Sequence, residues 1–442
     1  MSAAGRGCGG TAHEPARGAS RRLGGALPRR ALRGAGAADD PDAADLARDH
    51  AGGARARLRG GRRPSRDGGG DGDVPSRARA RRGRGGARAR DLSLARAAEG
   101  RGRRRRGHAA PGVTGMLGYL LLLAPMPPLG AFLLLALDPY RLTRRAAVAV
   151  AVAGGCLPLL VLGPLAAALF TGAMGPQVAP IFTLNVGNFQ VALAMGLDPL
   201  SALAAVTVAV VAASVMLYAV DYMAGATTPD LRRFYALMAL FEAGMMSMVL
   251  AADSIVFFLG WELMGLCSFF LISYNMTSPR AFAAGQKAFV ITRIADAALL
   301  AALLLLFLEA GSVRLAELIP AGAEAQNGRG ALIAILLLLG ALGKSAQLPF
   351  QTWLPTAMAG PTPVSALLHS ATMVAAGAVL LARFSPVIAA HPGAAAATAV
   401  AGVATAAFGA LCAIAQTDVK RLLAYSSISQ IGYMVLAAAS AR

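Results

Sequence analysis

Repeated runs of about 20 predominantly apolar residues constrain this chain more than any other feature, because a helix of that length spans a bilayer. The runs occupy residues 111–442, where short polar connections separate them. A segment inside lipid must satisfy its own backbone hydrogen bonds, which favours helices. The sequence therefore predicts an all-α polytopic membrane protein with about ten transmembrane helices. The predicted ranges are 116–137, 146–171, 198–220, 233–251, 254–275, 284–309, 331–359, 364–384, 394–416 and 418–438.

The N-terminal residues 1–115 differ from this pattern. Residues 1–110 contain 27 arginines, 11 acidic residues and no lysine, so they carry most of the net charge of +19. They have almost no apolar periodicity, and we expect a disordered tail. Because the tail lacks aromatic side chains that could stack on bases, we expect no nucleic-acid partner. A start codon set too early would explain this composition, with Met116 opening the first membrane helix.

The stretch 340–383 contains an interrupted helix. One apolar run ends near Lys344, four prolines follow, and a second apolar run carries His369. Proline removes a backbone donor and breaks a helix. Broken backbone at membrane depth is tolerated only inside the protein or beside a water-filled cavity. We therefore expect a break near Pro349, and Lys344 becomes a candidate ion-path residue.

Ionisable side chains within apolar helices are costly and usually functional. This sequence places seven of them there: Glu242, Glu262, Arg293, Asp296, Lys344, His369 and Lys420.

Several of these residues also have a structural interpretation. Arg293 and Asp296 are three residues apart and can pair on one helix face. Lys344 could lay its stem along apolar surface and reach the membrane interface. His369 could be a packing histidine, and Glu242 could make a local hydrogen bond.

Glu262 has no adjacent basic residue, so its partner must come from another helix, and Lys344 is the natural candidate. The chain contains three lysines against 39 arginines. A buried lysine can lose its proton, whereas arginine stays charged. Lysine is therefore expected where proton release matters, and we expect Lys344 to pair with Glu262.

Four segments resemble the signatures of the subunit L family of bacterial NADH–quinone oxidoreductases, whose mitochondrial counterpart is chain 5 of complex I. They are LGWELMGLCSFFLISY, KAFVITRIAD, GALGKSAQLPFQTWLPTAMAGPTPVSALLHSATMVAAG and AQTDVKRLLAYSSISQIGYM. The resemblance implies an antiporter-like fold of two inverted five-helix repeats, each with a broken helix. It implies that Glu262 and Lys344 form the charge pair of the first repeat. Arg293 and Asp296 would tune that pair, and His369 would pass protons towards the second repeat.

The function implied by the resemblance is proton translocation by a membrane subunit of a respiratory NADH–quinone oxidoreductase. The membrane part contains no CxxC, GxGxxG or P-loop motif, so we expect no redox centre or cofactor in this chain. NAD, FMN, iron–sulfur clusters and quinone would belong to partner subunits. The expected partners are other membrane subunits and the lipid bilayer, and the expected location is a bacterial inner membrane.

The resemblance also divides the chain. Residues 1–115 would be the tail, 116–232 three N-terminal helices, 233–385 the first five-helix repeat, and 386–442 the start of a second repeat. The chain stops after two helices of that repeat, so we expect a truncated product.

Two other functions stay open. Large subunits of multisubunit cation/proton antiporters share the KSAQ…PTPVSA…HSATMV core, whereas WELMGLCS favours the respiratory subunit. A fragment that does not pump is the other alternative, if the truncation is real.

The basic residues between the predicted helices indicate an orientation. Arg144, Arg232, Lys287 and Arg421 represent the connections on one side of the membrane, whereas Arg314, Arg329 and Arg383 lie on the other. The positive-inside rule assigns the first, richer set to the cytoplasm.

We therefore predict that the connection before Arg232 faces the cytoplasm. A cysteine engineered at Thr228 should resist a membrane-impermeant thiol reagent added outside right-side-out vesicles and should react after permeabilisation. Labelling from the outside would contradict this orientation.

Overall fold

A computed structural model describes residues 119–137, 142–186, 189–370 and 372–440. The predicted tail and Met116 lie outside these described residues. The elements are α1 Met126–Leu137, α2 Arg144–Phe170, β1 Gln177–Val186, β2 Phe189–Leu197, α3 Pro199–Tyr222, α4 Thr228–Val249, α5 Ser254–Ile272, α6 Pro279–Ala310, α7 Leu315–Glu324, α8 Arg329–Lys344, α9 Trp353–Ala357, α10 Thr362–His369, α11 Met373–Arg383, α12 Ser385–Ala390, α13 Pro392–Ile414 and α14 Val419–Ser440.

The apolar helices confirm the predicted polytopic membrane fold. Eight helical segments in the described part of the chain are long and apolar enough to cross a membrane. They correspond to eight of the ten predicted helices. The other two are α4, which carries several ionisable residues, and α8, which has only 16 residues because it ends early.

A β-hairpin is the main element that the sequence analysis missed. Strands β1 and β2 pair antiparallel between α2 and α3. Alternating side chains on both sides of the dipeptide Gly187–Asn188 are a hairpin signal in the sequence. The hairpin contacts the connection between α4 and α5, where the Gly196 N–H donates to Leu250 O at 2.6 Å.

Asp253 joins this hairpin to α5. Its carboxylate caps α5 by accepting from the N–H groups of Ile255 and Val256, and it also accepts from Ala194 N in β2 at 2.7 Å. Burial raises the pKa of Asp253, and these three backbone N–H groups oppose the rise.

The predicted helix break is confirmed, and it begins about one turn before Pro349. In a continuous helix Pro349 would have to donate to the Ser345 carbonyl, which proline cannot do. Helix α8 therefore ends at Lys344, and Ala346 adopts a positive φ of 50°. The buried Gln347 side chain satisfies Ser345 O at 2.9 Å.

Helices α13 and α14 hold the other side of this break. Gln347 Nε2 also donates to Ile428 O of α14 at 3.2 Å. Thr405 Oγ1 of α13 accepts from Leu348 N at 3.1 Å. The broken backbone is thus buried in protein, as membrane depth requires.

The predicted helix 364–384 is confirmed as a membrane-spanning segment, but it is interrupted after His369. Helix α10 ends at His369 and α11 begins at Met373. Ser370 Oγ donates to Ala366 O at 2.6 Å, and Thr372 Oγ1 donates to Leu367 O. These two hydroxyl groups compete for carbonyls that a continuous helix would use, which is why polar side chains can end a helix here.

Glycines bring α13 and α14 into backbone contact. A Cβ added at Gly402 would lie 2.7 Å from Leu436 N and 2.8 Å from Gly432 O. Membrane helices pack closely where small residues let their backbones approach.

Alanine at Gly402 should therefore destabilise the fold by about 1–3 kcal/mol through overpacking. Gly393 lies in the same helix, and an added Cβ there meets nothing within 4 Å. Alanine at Gly393 should be neutral or stabilising, since alanine favours a helix over glycine. Thermal unfolding of the two variants in detergent compares them, and equal midpoints would contradict the close contact.

Candidate functional site

The Lys344 ammonium group lies fully inside the protein. Its side chain is 0% exposed at the C-terminus of α8. Nζ donates to Trp261 O at 2.8 Å and lies 5.1 Å from the centre of the indole ring. This burial excludes the interpretation in which Lys344 reaches along the surface to the membrane interface.

Asp296 of α6 supplies the opposite charge. Its Oδ2 lies 3.5 Å from Lys344 Nζ, and both side chains are almost completely buried. Oδ1 accepts from Trp261 Nε1 at 2.6 Å. Trp261 therefore fixes both members of the ion pair, the lysine through its carbonyl and the aspartate through its indole N–H.

The expected Glu262–Lys344 pair is wrong in this structure. Glu262 Oε2 pairs instead with Nη1 of Arg293, and Arg293 Nη2 lies 3.4 Å from Glu262 O. Adjacent residues of a helix point about 100° apart. Lys344 approaches α5 at Trp261, so the side chain of the next residue is directed towards Arg293 on α6.

Arg293 connects the two carboxylates. Its Nη1 also lies 4.0 Å from Asp296 Oδ2, as their i, i+3 spacing predicts. Its guanidinium carbon lies 4.7 Å from the centre of the Phe289 ring. The result is a row of alternating charges in the order Lys344, Asp296, Arg293 and Glu262.

Gly265 provides the space between the two cations. A Cβ at this position would lie 2.9 Å from Lys344 Nζ and 3.4 Å from Arg293 Nη2. Gly340 brings α8 equally close to α6, since its added Cβ would lie 2.7 Å from Leu299 Cβ. The small residues beside Lys344 thus serve helix packing.

His369 lies apart from this charge row. It is 5% exposed, and neither ring nitrogen has a hydrogen-bond partner among the described residues. Its ring is 5.9 Å from that of Trp353, whose Nε1 donates to Gly343 O at 2.9 Å. Trp353 therefore separates His369 from the end of α8.

A cavity of about 280 Å³ adjoins His369. Its lining includes Ser365 and Lys420. Lys420 Nζ donates to Gly360 O at 3.1 Å, in the connection before α10. Lys420 thus stabilises broken backbone and shares a cavity with His369, which its position at the start of a helix did not indicate.

Sequence reasoning did not identify Trp261, Gly265 or Trp353 as parts of the site. The sequence feature that could have identified them is their position inside the segments that surround Glu262 and Lys344. Within the described residues, no group of three or more His, Cys, Asp or Glu side chains could hold a metal ion.

Comparison with protein families assigns most of the membrane part. Residues 251–442 match the family described as NADH:quinone oxidoreductase/Mrp antiporter, TM. Residues 184–235 match NADH-Ubiquinone oxidoreductase (complex I), chain 5 N-terminus.

Curated relatives are named as subunits of quinone oxidoreductases. NADH-quinone oxidoreductase subunit L of Escherichia coli K12 is 41% identical over 314 residues, which cover 70% of this chain and 51% of the relative. NAD(P)H-quinone oxidoreductase chain 5 of Synechocystis is 43% identical over 260 residues, covering 57% and 38%. The chain thus spans about half the length of the Escherichia coli relative and a smaller share of the Synechocystis relative.

A solved structure has the same fold. A chain from the structure of the Mrp complex of Dietzia sp. DQ12-45-1b aligns with a TM-score of 0.60 and 33% identity. The alignment covers 72% of this chain and 34% of that chain.

The buried ion pair predicts a stability difference. Asparagine at Asp296 can still accept from Trp261 but leaves Lys344 without an opposite charge, which should cost about 3–5 kcal/mol. Glu317, whose contact with Arg314 is half exposed at 3.7 Å, is the control. Glutamine there should cost about 1 kcal/mol or less.

The free energies of unfolding of Asp296→Asn and Glu317→Gln, measured in detergent, would compare the two sites. Similar values would show that the Lys344–Asp296 contact contributes no more than a surface pair.

Proposed function

Because the chain belongs to the NADH:quinone oxidoreductase/Mrp antiporter family of polytopic membrane proteins, we propose that it is a proton-translocating subunit of a respiratory NADH–quinone oxidoreductase. The buried lysine beside broken backbone supports this proposal most directly. An ionisable group at membrane depth is costly, and a lysine can release the proton that it carries.

The proton would be held by the ion pair of Lys344 with Asp296. While the 3.5 Å contact persists, the negative carboxylate favours the protonated amine. Separation of the two groups leaves a charge in a low-dielectric interior, which favours release of the proton. The ion pair therefore acts as a switch between holding and releasing a proton.

Arg293 offers Asp296 an alternative cationic partner to Lys344. It pairs with Glu262 and lies 4.0 Å from Asp296, so it competes with Lys344 for the aspartate. A small movement of Arg293 towards Asp296 would weaken the hold of Asp296 on Lys344. Redox events in partner subunits would drive that movement through α5 and α6.

His369 would accept the released proton. The path from the end of α8 passes Trp353 and enters the cavity that His369 shares with Lys420. Neither nitrogen of the His369 ring is occupied by a partner from the described residues, so both are free to take part in proton transfer. The cavity lies against α14, which belongs to the proposed second repeat.

The remaining features of the proposal concern the assembly. Residues 233–385 would form the first antiporter-like repeat and residues 386–442 the start of the second. NAD, FMN, iron–sulfur clusters and quinone would be held by partner subunits. This chain would assemble with other membrane subunits in a bacterial inner membrane. This chain would contribute proton transfer and no electron transfer.

A multisubunit cation/proton antiporter is the second candidate, because the Dietzia Mrp chain shares the fold over 72% of this sequence. The curated relatives named as quinone oxidoreductase subunits favour the respiratory function. Transport assays in vesicles distinguish these two functions. If the respiratory function is correct, NADH oxidation drives proton uptake. If the antiporter function is correct, a sodium or potassium gradient drives proton movement without NADH.

Lys344→Arg tests proton release by the buried cation. Arginine keeps the charge but does not lose its proton, since its pKa stays above about 12 in proteins. We therefore expect proton uptake in vesicles that contain the assembled complex to fall to background. Lys344→Ala should fail as well, because it leaves Asp296 buried without its cation.

Lys287→Arg is the matched control, since the Lys287 side chain is exposed on α6. Its uptake should equal that of the native complex. Assembly is checked by native gel. Normal proton uptake by an assembled Lys344→Arg complex would remove the proton-carrier role and leave Lys344 a structural cation.

A further inference from the structure

Helix α4 contains buried polar groups that the charge row does not use. Within the described residues, Arg232 Nε, Tyr235 OH and both carboxylate oxygens of Glu242 have no hydrogen-bond partner. Exposure of these three residues is 6%, 0% and 0%. The local hydrogen bond that was one interpretation of Glu242 is therefore not formed among the described residues. Buried polar atoms without partners are rare and call for an explanation.

The three side chains lie along one stripe of α4. At about 100° per residue, positions 232, 235 and 242 fall within an arc of about 80°. At about 1.5 Å per residue, the stripe extends about 15 Å from the first turns of the helix towards its far end. The unpaired groups are thus aligned along the helix axis, over a length of roughly half the thickness of a bilayer core.

A cavity opens at the Arg232 end of this stripe. It has a volume of about 450 Å³ and lies between α1 and α4. Phe132 and Leu135 line it on one side, and Arg232 and Ala236 on the other. Arg232 Nη2 donates to Leu142 O, which places the guanidinium group at the cavity wall. The cavity provides access to the stripe at the end that the basic residues assign to the cytoplasm.

Glu242 ends the stripe against a glycine of α2. A Cβ at Gly155 would lie 3.1 Å from Glu242 Oε2 and 2.8 Å from Met216 Cγ of α3. No basic side chain among the described residues forms an ion pair with Glu242. An isolated buried carboxylate is so costly that the group stays protonated instead.

We propose that Glu242 is a second proton-binding site, loaded from the cytoplasmic end of α4 through the Arg232 cavity and the Tyr235 hydroxyl. A proton enters on the phenol oxygen while the phenol O–H passes its own proton inward, so Tyr235 is unchanged after each transfer. The site is separate from the charge row, which α5, α6 and α8 form. Its use in pumping rests on the proposed function, but its protonation does not.

A purely structural carboxyl group is the competing explanation. With no partner on either oxygen, such a group could be replaced by its amide without functional loss. Glutamine at Glu242 keeps the shape and cannot bind or release a proton at this site. The comparison of acid and amide therefore separates a proton-binding group from a space-filling one.

Carbodiimide labelling tests the protonation in native membranes. Dicyclohexylcarbodiimide dissolves in lipid and adds to protonated carboxyl groups, so peptide mass spectrometry locates each modified residue. We expect modification at Glu242 and none at Glu262, whose carboxyl group forms an ion pair with Arg293. Tyr235→Phe should leave this labelling unchanged, because it alters the path of the proton and not the resting protonation of Glu242, and it should lower proton uptake. An unmodified Glu242, or equal labelling of Glu262, would overturn the proposal.

Proton uptake tests the role in transport. Glu242→Gln in the assembled complex should lower protons taken up per NADH oxidised by more than half, whereas Glu317→Gln should have no effect. Normal uptake by Glu242→Gln would overturn the proposal even if the native residue is labelled. If the variant does not assemble, the native complex decides, because uptake should fall in step with Glu242 modification.

The two proposals fail in different ways. A native complex that takes up no protons with NADH would contradict the respiratory function. The labelling of Glu242 and not of Glu262 would still decide whether Glu242 binds a proton.

Discussion

The ion pair between Lys344 and Asp296 is the interaction on which the arrangement of α5, α6 and α8 depends. Two charges buried from water lose several kcal/mol of hydration each, and their attraction repays this only with good geometry and further hydrogen bonds. The Trp261 carbonyl and indole N–H supply those bonds. Gly265 supplies the space for the lysine side chain. A small displacement of any of the three helices would leave one of these groups without a partner.

The break after α8 makes this position available for a cation. Lys344 is the last residue of α8, where the helix dipole favours positive charge. The chain can leave the helix there because Gln347 and Thr405 take over hydrogen bonds that the helix no longer makes. Since Gln347 also reaches α14, the break connects the helices of the charge row to those that follow it.

Two buried polar systems within the described residues differ in their chemistry. In the charge row each ionised group touches a group of opposite sign, so protonation changes can be driven by exchanging partners. Along α4 the Tyr235 hydroxyl and both Glu242 oxygens have no hydrogen-bond partner among the described residues, so Glu242 can only be neutral or bind and release a proton. From the sequence, Glu242 could equally make a local hydrogen bond, because nothing in its neighbours reveals that its oxygens stay unpaired.

The amino-acid sequence alone determined the membrane fold, the existence of the helix break and the identity of the ionisable residues. These follow from local properties: apolar length, proline chemistry and the cost of charge in an apolar helix. It did not determine that Asp296, and not Glu262, contacts Lys344. That choice depends on which face of α5 meets the end of α8, and adjacent helical positions differ by about 100°. The β-hairpin, the interruption after His369 and the unpaired stripe of α4 likewise depend on contacts between distant segments, which only the tertiary structure provides.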